Sequence, residues 1–336
     1  MTHPVLAVPA ALLLGGLALS AQTPSSPHED AKLDQQLQAI AAQHKGRLAV
    51  FAHDLKTGET AGLDPDLEVP TASVIKMGIL LDAAEQIRAG NASLAERLVL
   101  TKSNQVPGSG VLGELTPPLA LTLGDVLTLM VVVSDNTATN VAIDRLGLEH
   151  INATLRAAGL RHTVLYKKVM VPATAPMPPD QPKFGLGKTT PREMASIMER
   201  IATCHLSLDN SPPLPGDGPL CGAILDMLRH QQDRDDLPRY IEALDTSEHG
   251  SAIGNKTGAL DRVRNDVALI SSKNGPIVIA GFTFDNEDQR WTGDNEAQKT
   301  LGKVGQAVVE RWSPAGLDAE AFPWADPLAA NDRPAR

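Results

Sequence analysis

The apolar positions along the chain change their period twice. Leu33, Leu37, Ile40 and His44 recur at helical spacing before Gly46, which predicts a first helix ending at that glycine. Leu48 to Leu55 then reads as a strand, turned by Lys56-Thr57-Gly58-Glu59 into a short partner. From about Ser73 to Leu260 the patterns are mostly helical. Leu127 to Val133 is apolar except for Thr128, and the preceding Leu121-Thr122-Leu123-Gly124-Asp125 favours a buried helix over a strand. The β signal returns late: Asp266 to Ser271 and Pro276 to Thr283 flank Ser272-Lys273-Asn274-Gly275, a turn with the Asn-Gly signature. Leu301, Val304, Val308 and Trp312 lie on one face of a last amphipathic helix. Strands at both ends around a helical middle predict an α/β (α+β) fold: an antiparallel sheet from both chain ends, flanked by helices, with an inserted all-helical subdomain.

The ends set the boundaries. Residues 1–21 hold no Asp, Glu, Lys or Arg, and Val5 to Leu19 is apolar except for Pro9, Gly15 and Gly16. The run is too short for a membrane span, and Ala18-Leu19-Ser20-Ala21 offers small residues for cleavage. A core helix would rarely open a chain and then meet Gln22-Thr23-Pro24-Ser25-Ser26-Pro27, so residues 1–21 are expected to be a signal peptide. No cysteine follows the run, so no lipoprotein anchor is expected, and the mature protein is expected to be periplasmic or secreted, without a membrane anchor. Residues 22–30 are expected to be a flexible tail and 31–312 the folded domain. Its α/β part covers about 31–72 and 235–312, its helical part about 73–234, and 313–336 is a Pro/Ala-rich tail. In an oxidising compartment Cys204 and Cys221 are expected to bridge the Pro/Gly-rich loop between them, worth about 3 kcal/mol in the chain-entropy model; the alternative is two buried thiols.

Composition narrows the function. The 336 residues carry a formal charge of -10 with 3% aromatics, which disfavours nucleic acid as a partner. Nine histidines include no His-Glu-x-x-His or close His/Cys cluster, so neither a metal nor a cofactor is expected. The partner expected is a small-molecule substrate, and the chain is expected to act as a monomer.

Three short elements carry chemistry. Ser73-Val74-Ile75-Lys76 opens a helical pattern, which sets Ser73 and Lys76 one turn apart with the hydroxyl in the positive field of the helix N-terminus. A lysine with a lowered pKa can serve a serine nucleophile as base; the bland reading is a helix cap and a surface lysine. Ser134-Asp135-Asn136 follows the apolar run, where Asp135 or Asn136 could cap the helix from Thr137 to Leu146. Lys256-Thr257-Gly258 precedes Ala259 and the hairpin. Lys56-Thr57-Gly58 has the same letters in a plain turn, so one match alone says little.

In this order and at these boundaries the elements resemble the penicillin-recognising serine hydrolases, and most closely the class A β-lactamases. Thr122 to Asp125 with Ser134 to Asn140, Arg264 to Ala268, and Thr189 to Met194 extend the resemblance over roughly 30–312. It implies a β-lactamase/transpeptidase-like fold and an acyl-enzyme on Ser73, with Lys76 as base aided by the nearby charge of Lys256. It also implies that the backbone of Ser73 and Ala259 receives the oxyanion and that Ser134 protonates the leaving nitrogen. Asn136 would hold the acyl side chain, Thr257 and Arg264 would bind the substrate carboxylate, and Gly258 and Ala259 would line the substrate site. One departure stands out: the class A Ω-loop Glu that activates the deacylating water has no counterpart in Leu165 to Asp180, which holds no Glu. Glu193 falls in a capping box, and Asp180 is expected to pair with Lys167 or Lys168. The expectation is therefore β-lactam opening with slow deacylation. The alternatives are a penicillin-binding acyl-trap or sensor, and a DD-peptidase or esterase on the same dyad.

Overall fold

Two chain ends meet in one sheet. The computed structural model describes residues 28–173, 176–208, 214, 216–246 and 251–319; the expected signal peptide lies outside them. In chain order the strands are β1 (His28–Glu29), β2 (Arg47–Asp54), β3 (Glu59–Leu63), β4 (Val69–Pro70), β5 (Arg97–Leu100), β6 (Leu119–Thr122), β7 (Val164–Leu165), β8 (Gly187–Thr189), β9 (Ile253–Leu260), β10 (Val263–Ser272) and β11 (Gly275–Phe284). The helices are α1 (Ala31–Ala41), α2 (Lys76–Arg88), α3 (Leu123–Val132), α4 (Asn136–Leu146), α5 (Leu148–Ala157), α6 (Gln181–Phe184), α7 (Pro191–Ala202), α8 (Asp217–Arg229) and α9 (Glu296–Trp312). The main sheet runs β1-β3-β2-β11-β10-β9, antiparallel except for the β1–β3 pair, and leaves β9 as an edge.

Alternation along the strands sorts their side chains between two cores. Ala268, Ile270, Ile277 and Ile279 pack with Leu33, Leu37, Leu301, Val304 and Val308 of α1 and α9. Val267, Leu269, Val278 and Ala280 on the other face join the larger core, which holds α2, α3, α4, α7 and α8. Asp30 couples the chain ends: it caps α1 at the N–H of Leu33 (3.2 Å) and receives Arg311 Nε (2.7 Å) and Trp312 Nε1 (3.1 Å) from the end of α9. Cys204 and Cys221 form a disulfide that ties the end of α7 to α8.

The expected two-part α/β fold is present, with local differences. α1 ends at Ala41, before Gly46, because His44 turns inward to Glu296 (2.8 Å) and Asn286 (3.1 Å). The expected tail of 22–30 is ordered from His28, whose strand pairs with β3. Ser313 to Ala319, expected as the start of a loose tail, also belongs to the fold. Leu317 bridges to Ser272, and Leu317 and Ala319 are buried.

Candidate active site

The nucleophile candidate sits where a short strand turns into a buried helix. Ser73 lies half-buried in the 3-10 turn Ala72–Ile75, which runs straight from β4 into α2. Lys76 is the first residue of α2 and fully buried. Its Nζ donates to the Ser134 carbonyl (2.7 Å), Ser134 Oγ (3.0 Å) and Asn136 Oδ1 (3.3 Å). Burial, and then the charge of Lys256, hold this amine well below the ordinary lysine value, against an opposing pull from Asp135.

Ser134 occupies the bend between α3 and α4 at φ 53°, a left-handed conformation that a non-glycine residue keeps only where its surroundings impose it. The imposing contacts are visible. Asp135 caps α4 through the N–H of Ala138 (2.8 Å) and also receives the N–H groups of Val111 (2.7 Å) and Leu112 (2.8 Å), while Ser109 Oγ donates to the Ser134 carbonyl (2.7 Å). Lys256, fully buried on β9, donates from Nζ to Ser134 Oγ (3.1 Å) and to the Thr257 carbonyl (2.8 Å). Burial lowers this lysine to about 8, opposed by Asp266, Asp233 and Asp236. Two lysines thus donate to one hydroxyl. With both lone pairs occupied, the Ser134 O–H proton has to point elsewhere, which suits a donor to a substrate atom.

Gly258 brings the edge strand against the nucleophile. A Cβ there would lie 2.8 Å from the Thr71 carbonyl oxygen and 2.9 Å from the nitrogens of Ser73 and Val74, so only glycine permits this approach. Asn136 is buried, with Nδ2 on the Pro107 carbonyl (3.2 Å) and Oδ1 facing Lys76. Ala259 follows on the edge strand, opposite Arg264. Thr257, buried opposite Asp266, belongs to the strand face away from Lys256. Among the described residues no group of His, Cys, Asp or Glu converges as a metal site.

Arg264 requires a correction. Strand alternation puts it on the α9 face of β10, away from Ser73. It is 3% exposed, with its guanidinium on the carbonyls of Leu260, Val263 (2.8 Å) and Arg290 (2.8 Å) and stacked on the Trp291 ring at 4.6 Å. Its neighbour Asn265 faces the nucleophile instead and donates from Nδ2 to the Pro70 carbonyl (2.7 Å), just before the Ser73 turn. Arg262, two residues before Arg264, donates to the Asp285 carbonyl (3.1 Å).

The loop between α5 and α7 is held against α4 at an apolar residue. Asn140 of α4 clamps it in both directions, donating to the Val169 carbonyl (2.9 Å) and accepting from the Val169 N–H (2.8 Å). Val169 is buried, and Met170 reaches the neighbourhood of Asn136: a Cβ on Gly108 would meet both Asn136 Nδ2 and Met170 Cε. Asp180 pairs with Lys188 (2.9 Å) and Tyr166 (3.0 Å), because α6 folds it back onto β8. The expected partners are engaged elsewhere, Lys167 on the Val171 carbonyl and Lys168 on Asp144. Glu193 accepts from the His162 N–H (2.9 Å) and Thr163 (2.7 Å), so its carboxylate is occupied, though by different groups than a capping box supplies. Sequence reasoning missed Ser109, Asn140 and Asn265. Asn140 left a faint signal, being a poor helix former inside a helix.

The arrangement has known relatives. A family profile described as "Beta-lactamase enzyme family" matches residues 32–312. The chain is 32% identical over 123 residues to the beta-lactamase regulatory protein BlaB of Streptomyces cacaoi, spanning 36% of this chain and 39% of that protein. It is 22% identical over 299 residues to beta-lactamase SME-1 of Serratia marcescens, spanning 88% of this chain and 93% of that one. Among solved structures, the beta-lactamase of Sphaerobacter thermophilus superposes with a TM-score of 0.69 at 28% identity, covering 83% of this chain and 96% of that one.

Proposed function

The chain belongs to the beta-lactamase enzyme family, and from that premise we propose that it is an exported serine hydrolase that opens β-lactam rings through an acyl-enzyme on Ser73 and deacylates slowly. The observation that supports this best is the meeting of Lys76 and Lys256 on Ser134 Oγ beside the Ser73 turn. Lys76, neutral when it acts, takes the Ser73 proton as the hydroxyl attacks the lactam carbonyl. The backbone N–H groups of Ser73 and Ala259 receive the developing oxyanion, at the point where Gly258 lets the edge strand close in. Ser134 passes its proton to the departing nitrogen and is recharged through the lysines on either side. Asn136 holds the acyl side chain, and the Lys256 ammonium serves the substrate carboxylate.

Slow deacylation follows from the loop. The loop residue that Asn140 clamps onto α4 is Val169, which has no proton-accepting group, and Asp180 and Glu193 are engaged elsewhere. Losing a positioned general base costs about 10²–10⁴-fold. The same feature favours a second reading, an acyl-trap or sensor, and the likeness to a regulatory protein points the same way. A DD-peptidase or esterase on the same dyad would share the acylation step. Export is supported by the disulfide, which persists in oxidising compartments; among the described residues no helix is long and apolar enough to cross a membrane.

The test is intact-protein mass spectrometry after exposure to benzylpenicillin. The wild type should gain one penicilloyl mass and Ser73→Ala none, with unchanged circular dichroism. An undiminished adduct in Ser73→Ala would remove Ser73 from the mechanism.

A further inference from the structure

Behind Lys256, on the α9 face of the sheet, lies a buried acidic pair that the acylation chemistry does not use. Asp266 is fully buried and well supplied with donors: Asn255 Nδ2 bonds both its oxygens at 3.1 Å, and the Leu237 N–H donates to Oδ2 at 3.1 Å. Asn255 is in turn fixed by Arg234, whose Nη1 donates to its Oδ1 at 2.7 Å. Asp236 directly precedes Leu237, is 2% exposed, and has its Oδ1 buried without any partner. A carboxylate oxygen stranded in this way is costly, whereas a carboxylic acid can donate its own proton to a neighbouring carboxylate.

We propose that Asp236 and Asp266 hold one proton between them, carried on Asp236, and that the remaining negative charge of Asp266 keeps Lys256 an ammonium on Ser134. The division of the proton follows from the donors. Three N–H contacts favour the ionised form of Asp266, while the buried Oδ1 of Asp236 has no donor at all. Burial pushes both carboxyls upward, and each also feels the negative charge of Asp233. The other charges facing the pair are Asp235 and, in the opposite sense, Arg264, whose guanidinium is committed to carbonyls and Trp291. On the nucleophile side Lys256 is opposed by Lys76, so without a buried anion behind it the ammonium would face burial and like charge together. Asp266 and Asp236 are thus positioning residues, acting on substrate only through Lys256. The inference rests on the proposed role of Lys256, but the charge arrangement is testable without any substrate.

The experiment is carboxyl NMR on protein carrying ¹³C-labelled aspartate, with the Lys256 titration followed through its ¹³Cε resonance and assigned by its loss in Lys256→Arg. At pH 7 the wild type should show a protonated carboxyl that disappears in the isosteric Asp236→Asn. In Asp266→Asn the Lys256 midpoint should fall by about one pH unit, the lower end of what a nearby opposite charge supplies. Absence of a protonated carboxyl in the wild type, or its survival in Asp236→Asn, would overturn the shared proton. An unmoved Lys256 midpoint in Asp266→Asn would overturn the coupling. If Asp266→Asn does not fold, Asp236→Asn alone decides the first point, and Asn255→Leu decides the second: it removes two of the three N–H contacts that hold Asp266 ionised, so the Lys256 midpoint should fall, and an unmoved midpoint would overturn the coupling. Failure of penicillin labelling would count against the proposed function and leave these readings intact.

Discussion

Replacing Gly258 by alanine tests how closely the edge strand has to approach the nucleophile. Its φ is not in the left-handed region, so backbone strain plays no part and the effect is purely steric. The added Cβ would land 2.8 Å from the Thr71 carbonyl oxygen and 2.9 Å from the nitrogens of Ser73 and Val74. Ordinary contact begins at roughly 3.5 Å, so strand and turn have to separate by about half an ångström or more. The atoms met are backbone, which cannot swing aside as a side chain would. A misplacement of about 1 Å costs roughly 10²-fold in rate, and overpacking typically costs about 1–3 kcal/mol. Gly258→Ala should therefore acylate at least ~10-fold more slowly, with a melting temperature only a few degrees lower. The assay is the second-order rate of labelling by a fluorescent penicillin, alongside thermal unfolding. Labelling within twofold of the wild type would show that the approach of β9 to Ser73 does not matter for acylation.

The two other substitutions separate structure from chemistry. Arg264→Ala should leave KM for penicillins unchanged and lower stability, because it removes carbonyl contacts and the Trp291 stack on the face away from Ser73; a large rise in KM without loss of stability would restore it as a substrate ligand. For Lys256, burial lowers the amine to about 8, so its ammonium is lost as pH rises through that value and acylation should decline above about pH 8. The folded state holds fewer protons than the unfolded one between about pH 8 and the ordinary lysine value. The destabilisation from the buried ammonium is therefore full below pH 8 and relieved as pH rises through that window. Lys256→Arg, which stays charged, should acylate more slowly at neutral pH but lose the alkaline decline; persistence of the decline would assign it to another group.

Local patterns are legible in the sequence where a single element decides them. The hairpin turns within Ser272 to Gly275 as expected, because turn chemistry and strand alternation act over a few residues, although Lys273 and Asn274 rather than Asn274 and Gly275 take the two central positions. Asp135 likewise caps α4 from within its own segment. Register is harder. Arg264 and Asn265 differ by one position, yet a period of two sends them to opposite faces of β10, and the arginine is the chemically tempting one. The partners of Asp180 and Glu193 depend on how α6 and α7 fold back, which no local pattern encodes. The Asn140–Val169 clamp spans 29 positions between a helix and an irregular loop, so it emerges only once the two are packed together.

The central claim joins ready acylation to slow release, and the loop supplies the variable. Val169 is held through its backbone by Asn140, so a glutamate can be placed there without touching the clamp. Stopped-flow traces with a chromogenic cephalosporin, run on the wild type and on Val169→Glu, read both steps at once. The wild type should show a burst of one equivalent per enzyme followed by a slow linear phase. In Val169→Glu the slow phase should rise by about 10²-fold or more, the usual contribution of a positioned general base. Fast linear turnover without a burst in the wild type would contradict the account, since it would mean that deacylation already has its base.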